Sequence, residues 1–251
     1  MWSKWVVGIP PYPKGIGFPS SKNMNPKRLF LIRHGESQGN VNKEIYKTVP
    51  DYAVRLTDNG ISQAKLAGHD LYKRTNSSPA IFYSPFNRAI ETTNYILSVF
   101  KNKNKLDKRF VYEDARLREQ EWFSQYPLRS FNYNAEKDRI NFGIFHYRFD
   151  SGESPADVYD RLSSFVETLH RRFNDSDFPD DIIIVSHGMT MRVLLMVLLN
   201  KSVATFETWK NPSNCEIWKF DFVNNVWSFD DTHLKIRNVS DTTRQLDIIE
   251  L

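Results

Sequence analysis

Arg33, His34 and Gly35 stand at the end of the apolar run LFLI, with Glu36, Ser37 and Asn40 close behind. An arginine and a histidine that end a buried strand and turn on a glycine admit two readings. One is an ordinary polar loop. The other is an anion site with a nucleophilic imidazole in it. Two further strand ends weigh on the choice. AIFYS (80–84) runs into Pro85, and Arg88 lies in the first turn of the next helix. DIIIVS (181–186) runs into His187-Gly188. If the three strands are parallel, their ends share one edge of the sheet, where open α/β sheets bind ligands. Helix N-termini there add N–H groups and partial positive charge. Each element alone is unremarkable, since Arg88 by itself reads as an exposed helix residue and a His-Gly pair as a turn. Two arginines, two histidines and helix dipoles in one small volume repel each other unless an anion joins them. A dianionic phosphoryl group fits that place.

The elements that must position these residues are legible as alternating strands and helices. RLFLI (28–32), AIFYS (80–84), RFVYED (109–114) and DIIIVS (181–186) read as buried strands. Cys215–Phe222 and Val226–Phe229 read as a terminal hairpin turning at Asn224-Asn225. Thr57 caps a helix whose apolar side is Ile61, Ala64, Leu66, Ala67 and Leu71. Further helices are expected at 87–100, at 154–173 with Ser154 as cap and Pro155 first in the helix, and at 188–200, which is apolar nearly all round. This alternation predicts an α/β fold, a three-layer α/β/α sandwich around a mostly parallel sheet. Residues 101–108 read as a solvated basic loop, and 122–150 as an aromatic-rich cap insertion over one end of the sheet. Residues 1–25 read as an irregular arm, pinned by Trp2 and Trp5, and 26–251 as a single domain.

The chain has 251 residues, 40% hydrophobic and 25% charged, which suits a globular domain with a sizeable core. A net charge of +4, with no Lys/Arg tract, favours anionic ligands and argues against nucleic acid as a partner. The single cysteine, Cys215, fits a reducing compartment and reads as a structural thiol. No apolar run is long enough for a signal-peptide core or for membrane insertion. The expected location is the cytoplasm, with the nucleus also open. No metal-ligand cluster and no cofactor motif stands out.

LFLIRHGESQGN (29–40) resembles the signature of the histidine phosphatase superfamily, in its phosphoglycerate-mutase-like branch. The likeness continues in family order through RLTDNGISQA (55–64), SPFNRAIET (84–92), LREQEW (117–122), GESPADVYDR (152–161) and VSHG (185–188). It points toward the fungal broad-range acid phosphatases of this branch and related plant phosphoglycerate-mutase-like proteins. The resemblance implies that His34 attacks phosphorus and forms a phosphohistidine, which water then hydrolyses. Arg33, Arg88 and His187 would bind the phosphoryl oxygens, and Asn40, Gly188 and Ser37 would join the substrate-binding set. Gly35 would permit a tight backbone approach. Glu119 would be the proton donor to the leaving group, with Glu121 its competitor and Glu113 and Asp114 weaker alternatives. A general acid must carry its proton part of the time, which favours activity on the acidic side of neutral. Glu36 is expected to pair with an arginine, and Glu153-Ser154 to open a helix. One departure is Phe123, where many family members carry glycine; it bears on the shape of the leaving-group pocket.

The implied function is a metal-independent phosphatase of broad range acting on small phosphomonoesters. The first alternative is a phosphoglycerate mutase. That enzyme class carries an arginine pair and a proline-rich stretch in its cap, and Arg129 and Arg139 here do not reproduce that pattern. The second is a non-catalytic phosphate-binding adaptor, which would lack one of the site residues; none is missing.

Overall fold

The computed structural model describes residues 27–122, 133–149 and 151–236. The arm at 1–25, Phe123 and Arg129 lie outside them. Six strands form one sheet: β1 (Lys27–Arg33), β2 (Ala80–Tyr83), β3 (Val111–Glu113), β4 (Asp181–Ser186), β5 (Ile217–Val223) and β6 (Val226–Phe229). Their order is β3-β2-β4-β1-β5-β6. The first four pair in parallel, while β5 and β6 are antiparallel additions at one edge. Among the described residues seven helices accompany them: α1 (Gln38–Val41), α2 (Asp58–Arg74), α3 (Asn87–Asn102), α4 (Tyr133–Phe142), α5 (Pro155–Arg172), α6 (Gly188–Leu199) and α7 (Val203–Thr208).

The strands alternate their side chains between two cores. Leu29 and Leu31 of β1 and Ile182 and Ile184 of β4 pack on the side of α5 and α6. Phe30, Ile32, Ile183 and Val185 pack on the side of α2 and α3. Strands buried on both faces read as continuous apolar runs, which is why they were legible. The result is the expected three-layer α/β/α sandwich. An aromatic cluster of Trp122, Tyr147 and Phe149 lies in the region expected to be the cap.

Register sets the site. Arg33 pairs with Ser186 across β1 and β4, and Tyr83 pairs with Val185 across β2 and β4. His34, Ser84 and His187 therefore leave the sheet together at its C-terminal edge.

Several expectations need correction. Leu66 is 71% exposed; the buried stripe of α2 is Gly60, Ala64, Ala67, Gly68 and Leu71. Gly68 lets α2 approach α3 closely, since a Cβ there would lie 3.1 Å from Ile96 Cα. A turn of 100° per residue puts Leu66 well off that stripe. The third strand is shorter than expected because Lys108–Phe110 form a 3-10 turn. The basic stretch is also less free than expected. Helix α3 runs to Asn102, and Lys105 Nζ folds back onto the carbonyls of Tyr72 and Thr75 at the end of α2, an interaction that satisfies terminal helix carbonyls. The hairpin turn holds: Asn224 and Asn225 both have positive φ, 52° and 62°, as a two-residue turn requires.

His170 on α5 clusters with the rings of Phe222 and Trp227 and accepts a hydrogen bond from Trp227 Nε1 at 3.0 Å. Burial lowers its pKa to about 4. The unfolded chain therefore binds this proton more readily, so stability falls as pH drops from about 6.5 to about 4. After discounting for partial exposure, His170 accounts for on the order of 2 kcal/mol of that loss. Thermal melts between those pH values should show a shallower acid limb for His170→Gln, which keeps an acceptor for Trp227.

Candidate active site

The nucleophile candidate is held by its own neighbour. His34 is 3% exposed, and its Nδ1 lies 2.7 Å from the Gly35 carbonyl. A carbonyl can only accept, so Nδ1 carries the proton and Nε2 keeps its lone pair. Burial lowers the His34 pKa well below its usual value, and the charges of Arg88 and Arg33 push it further. The imidazole thus stays neutral into the acidic range.

Gly35 can bend here because two backbones nearly touch. A Cβ on Gly35 would lie 2.5 Å from the Gly60 carbonyl oxygen, and one on Gly60 would lie 2.0 Å from that of Glu36. The two glycines of the first two motifs thus lock the nucleophile loop against the start of α2. Gly60→Ala should destabilise the protein by roughly 1–3 kcal/mol and misplace His34. Urea unfolding beside a kcat measurement checks this. Glu36 serves the same junction. Its carboxylate accepts from Thr57 Oγ1 at 2.7 Å and its N–H donates to Gln63 Oε1. The expected arginine partner of Glu36 is replaced by this cap residue.

His187 leaves β4 beside His34, with ring centroids 5.2 Å apart. Its Nε2 is 2.7 Å from Ser84 Oγ, which also accepts from Phe86 N. Ser84 Oγ can accept the Phe86 N–H and still donate to Nε2, and in that tautomer the His187 proton sits on Nδ1. That Nδ1 is buried and has no partner among the described residues. Burial, Arg88 and His34 lower the His187 pKa well below its usual value, so its ring stays neutral.

Arg88 on α3 is 4% exposed and held by Asp51, which takes both terminal nitrogens at 2.9 and 3.3 Å. Arg33 gives one terminal nitrogen to the Pro212 carbonyl at 2.7 Å, while its Nε is buried and without a partner among the described residues. Burial lowers the Arg33 pKa, Glu119 opposes this and Arg88 reinforces it, so all three share one field.

Glu119 sits on the N-terminus of α6. Its Oε1 accepts from Gln120 N and Thr190 N, while Thr190 Oγ1, 3.1 Å from it, gives its proton chiefly to the Arg118 carbonyl at 2.7 Å; among the described residues its Oε2 accepts only from Met189 N at 3.3 Å. Oε2 therefore keeps lone-pair capacity. Glu121 is exposed, and its N–H is bound to Glu153. Glu113 is exposed, and Asp114 caps its own turn and pairs with Arg116 at 2.6 Å.

The loop carrying Glu119 is pinned from α5. Arg161 donates to the carbonyls of Arg116 and Glu119 and pairs with Glu153, which also holds Arg118. Glu153 is thus an ion-pair hub rather than part of the helix cap; the capping box joins Ser154 to Asp157.

Ser37 is 1% exposed, and its N–H and Oγ both address Asn40 Oδ1. Gly188 opens α6, and Asn211 lies 3.0 Å from where its Cβ would be. Cys215 is half-buried at φ 55°, its thiol pushed up to about 12 by burial, and its N–H donates to the Arg33 carbonyl.

Sequence reasoning missed three groups at the site. Asp51 follows Pro50 in an irregular stretch and carries no motif. Tyr46 lies where a Cβ on Gly39 would meet its hydroxyl, and burial with Asp51 nearby raises its pKa to about 12. The loop 211–216 reaches the nucleophile from the far end of the chain. Among the described residues no group of three or more His, Cys, Asp or Glu side chains could hold a metal ion.

A pair of buried histidines beside buried Arg88 and half-buried Arg33, at the C-terminal edge of the parallel strands, goes with an α/β fold of the phosphoglycerate-mutase type. Comparison with known proteins agrees. The model of the histidine phosphatase superfamily (branch 1) matches residues 29–234, and the chain belongs to that family. It is 39% identical over 205 residues to phosphoglycerate mutase-like protein AT74 of Arabidopsis thaliana, covering 76% of this chain and 64% of that protein. The chain thus spans just under two thirds of that relative's length. It is 30% identical to the broad-range acid phosphatase DET1 of Saccharomyces cerevisiae, covering 78% of this chain and 85% of that one. Among solved structures it resembles a mycobacterial glucosyl-3-phosphoglycerate phosphatase with a TM-score of 0.66, at 23% identity, over 82% of this chain and 97% of that one.

Proposed function

We propose that this chain hydrolyses phosphomonoesters through a phosphohistidine at His34, without a metal cofactor, with a broad substrate range and an acidic optimum. One observation carries the reading: Arg33 Nε and His187 Nδ1 are buried polar groups without partners among the described residues, beside a neutral imidazole. An unsatisfied buried donor costs about 1–3 kcal/mol, and phosphoryl oxygens would meet both. His34 Nε2 attacks phosphorus as the P–O bond to the leaving group breaks. Arg33, Arg88, Asn40 and His187 take the charge on the equatorial oxygens. Glu119 gives its proton to the departing alkoxide, then removes one from the water that attacks the phosphohistidine. Orthophosphate leaves and His34 returns to its starting state. A nucleophile that stays neutral in acid supports the acidic optimum. The likeness to a broad-range acid phosphatase supports the substrate range.

The site belongs, on this reading, to one domain over 26–251 whose cap is the 122–150 insertion. The partner is a small phosphomonoester, and the location cytoplasmic. No helix of the described residues is long and apolar enough to cross a membrane. Against the mutase reading, Arg139 is 5% exposed and its guanidinium lies over the Trp122 ring at 4.9 Å. That place in the aromatic cluster favours hydrolysis over a carboxylate clamp. The test is orthophosphate release from a panel of phosphomonoesters with EDTA present, across roughly pH 4–8. Turnover strongest below neutral supports the proposal. A folded protein that releases nothing, yet exchanges phosphate when primed with a bisphosphorylated glycerate, favours the mutase.

A further inference from the structure

We propose that Asn214 is a positioning residue that fixes the side-chain amide of Asn40 with its nitrogen toward the phosphoryl site. The inference rests on the phosphatase reading and concerns a residue in the loop before β5, far from every motif in sequence.

The orientation of both amides follows from groups that can play only one role. Asn214 Nδ2 lies 3.1 Å from the His34 carbonyl oxygen. That oxygen only accepts, so the nitrogen of Asn214 must face it. The same nitrogen lies 3.1 Å from Asn40 Oδ1. At Asn40, the backbone N–H of Ser37 donates to Oδ1 at 3.0 Å, and Ser37 Oγ lies 3.1 Å from it. A backbone N–H only donates, so the oxygen of Asn40 is fixed independently from its other side. Three donors therefore converge on one carbonyl oxygen. Turning Asn40 over would set its NH2 against both the Ser37 N–H and the Asn214 NH2. With Oδ1 spent in this way, the two N–H bonds of Asn40 Nδ2 are what the side chain offers to a ligand, and no described protein group accepts them.

The loop is built to hold this contact. Pro212 accepts from Arg33 at 2.7 Å, and Cys215 N donates to the carbonyls of Arg33 and His34 at 3.1 and 3.3 Å. Antiparallel pairing of β5 with β1 fixes where the loop arrives. Asn214 thus reads the position of the nucleophile's main chain through one proton and transmits it to Asn40 through the other.

The test is a double-mutant cycle on Asn40→Ala and Asn214→Asp, with Asn214→Ala as a second variant should the aspartate not fold. Aspartate keeps the shape but sets acceptors against the His34 carbonyl and Asn40 Oδ1. The readouts are the competitive inhibition constant of orthophosphate, its affinity by calorimetry, kcat/KM for p-nitrophenyl phosphate, and the melting temperature. Each single variant should weaken orthophosphate about tenfold, and the double variant should be no weaker than Asn40→Ala within about twofold. An unaltered Asn214 variant, or losses that multiply to about a hundredfold in the double, would overturn the inference. If the wild type binds orthophosphate but releases none from esters, the phosphatase reading fails while calorimetry still decides the coupling.

Discussion

Replacing His34 by alanine should lower turnover of any phosphomonoester by a factor of about 10⁴ or more, with the fold intact. The imidazole is buried, and among the described residues its one side-chain hydrogen bond is to the Gly35 carbonyl. Its loss opens a small cavity but strands no charge. Arg33, Arg88 and His187 remain, so the variant should still bind orthophosphate, and with His34's bulk gone the site should accept it without forming a bond. Calorimetry with orthophosphate beside a turnover assay separates these effects. Partial activity, within about a hundredfold of wild type, would mean that water is attacking phosphorus directly.

Glu119→Gln should show a loss that depends on the leaving group. Alkyl phosphates need a proton on the departing oxygen, and kcat for them should fall about 10²–10³-fold. For p-nitrophenyl phosphate, whose leaving group departs unprotonated, the first step should fall less than about tenfold. Glutamine can keep the bonds to Thr190 and Gln120 through its oxygen, so the loop should stay in place. Glu121→Gln is the control. Its side chain is exposed and should leave kcat within about twofold. Equal losses for both ester types would show that Glu119 acts on the phosphoryl group rather than on the leaving group. A large loss in Glu121→Gln would reverse the assignment of the acid.

What could be read in the sequence and what could not divide along a physical line. Strands buried on both faces announce themselves as apolar runs, and the residues at their ends follow without further information. His34, Arg88 and His187 were found in this way. Local chemistry was equally legible: Thr57 and Ser154 cap their helices, and Asn224-Asn225 turns the hairpin. The contacts that tune the site are of another kind. Asp51 on Arg88, Ser84 on His187 and Asn214 on Asn40 join segments far apart in the chain, through single polar residues with no periodicity. Glu36 looked like an ion-pair partner because carboxylates beside arginines often are. It was instead drawn to Thr57 by the close approach of Gly35 and Gly60. Leu66 failed for the opposite reason: a glycine, Gly68, supplies part of the buried stripe, and hydropathy gives glycine no weight.

The most direct test of the account is to trap the phosphoenzyme. The protein is mixed with a ³²P-labelled phosphomonoester at low pH, quenched in alkali within the first turnover, digested and mapped. Label should appear on His34, stable in alkali and lost in acid, and be absent from His34→Ala. Substrate hydrolysis with no labelled protein at any quench time, or label on a residue other than His34, would contradict it.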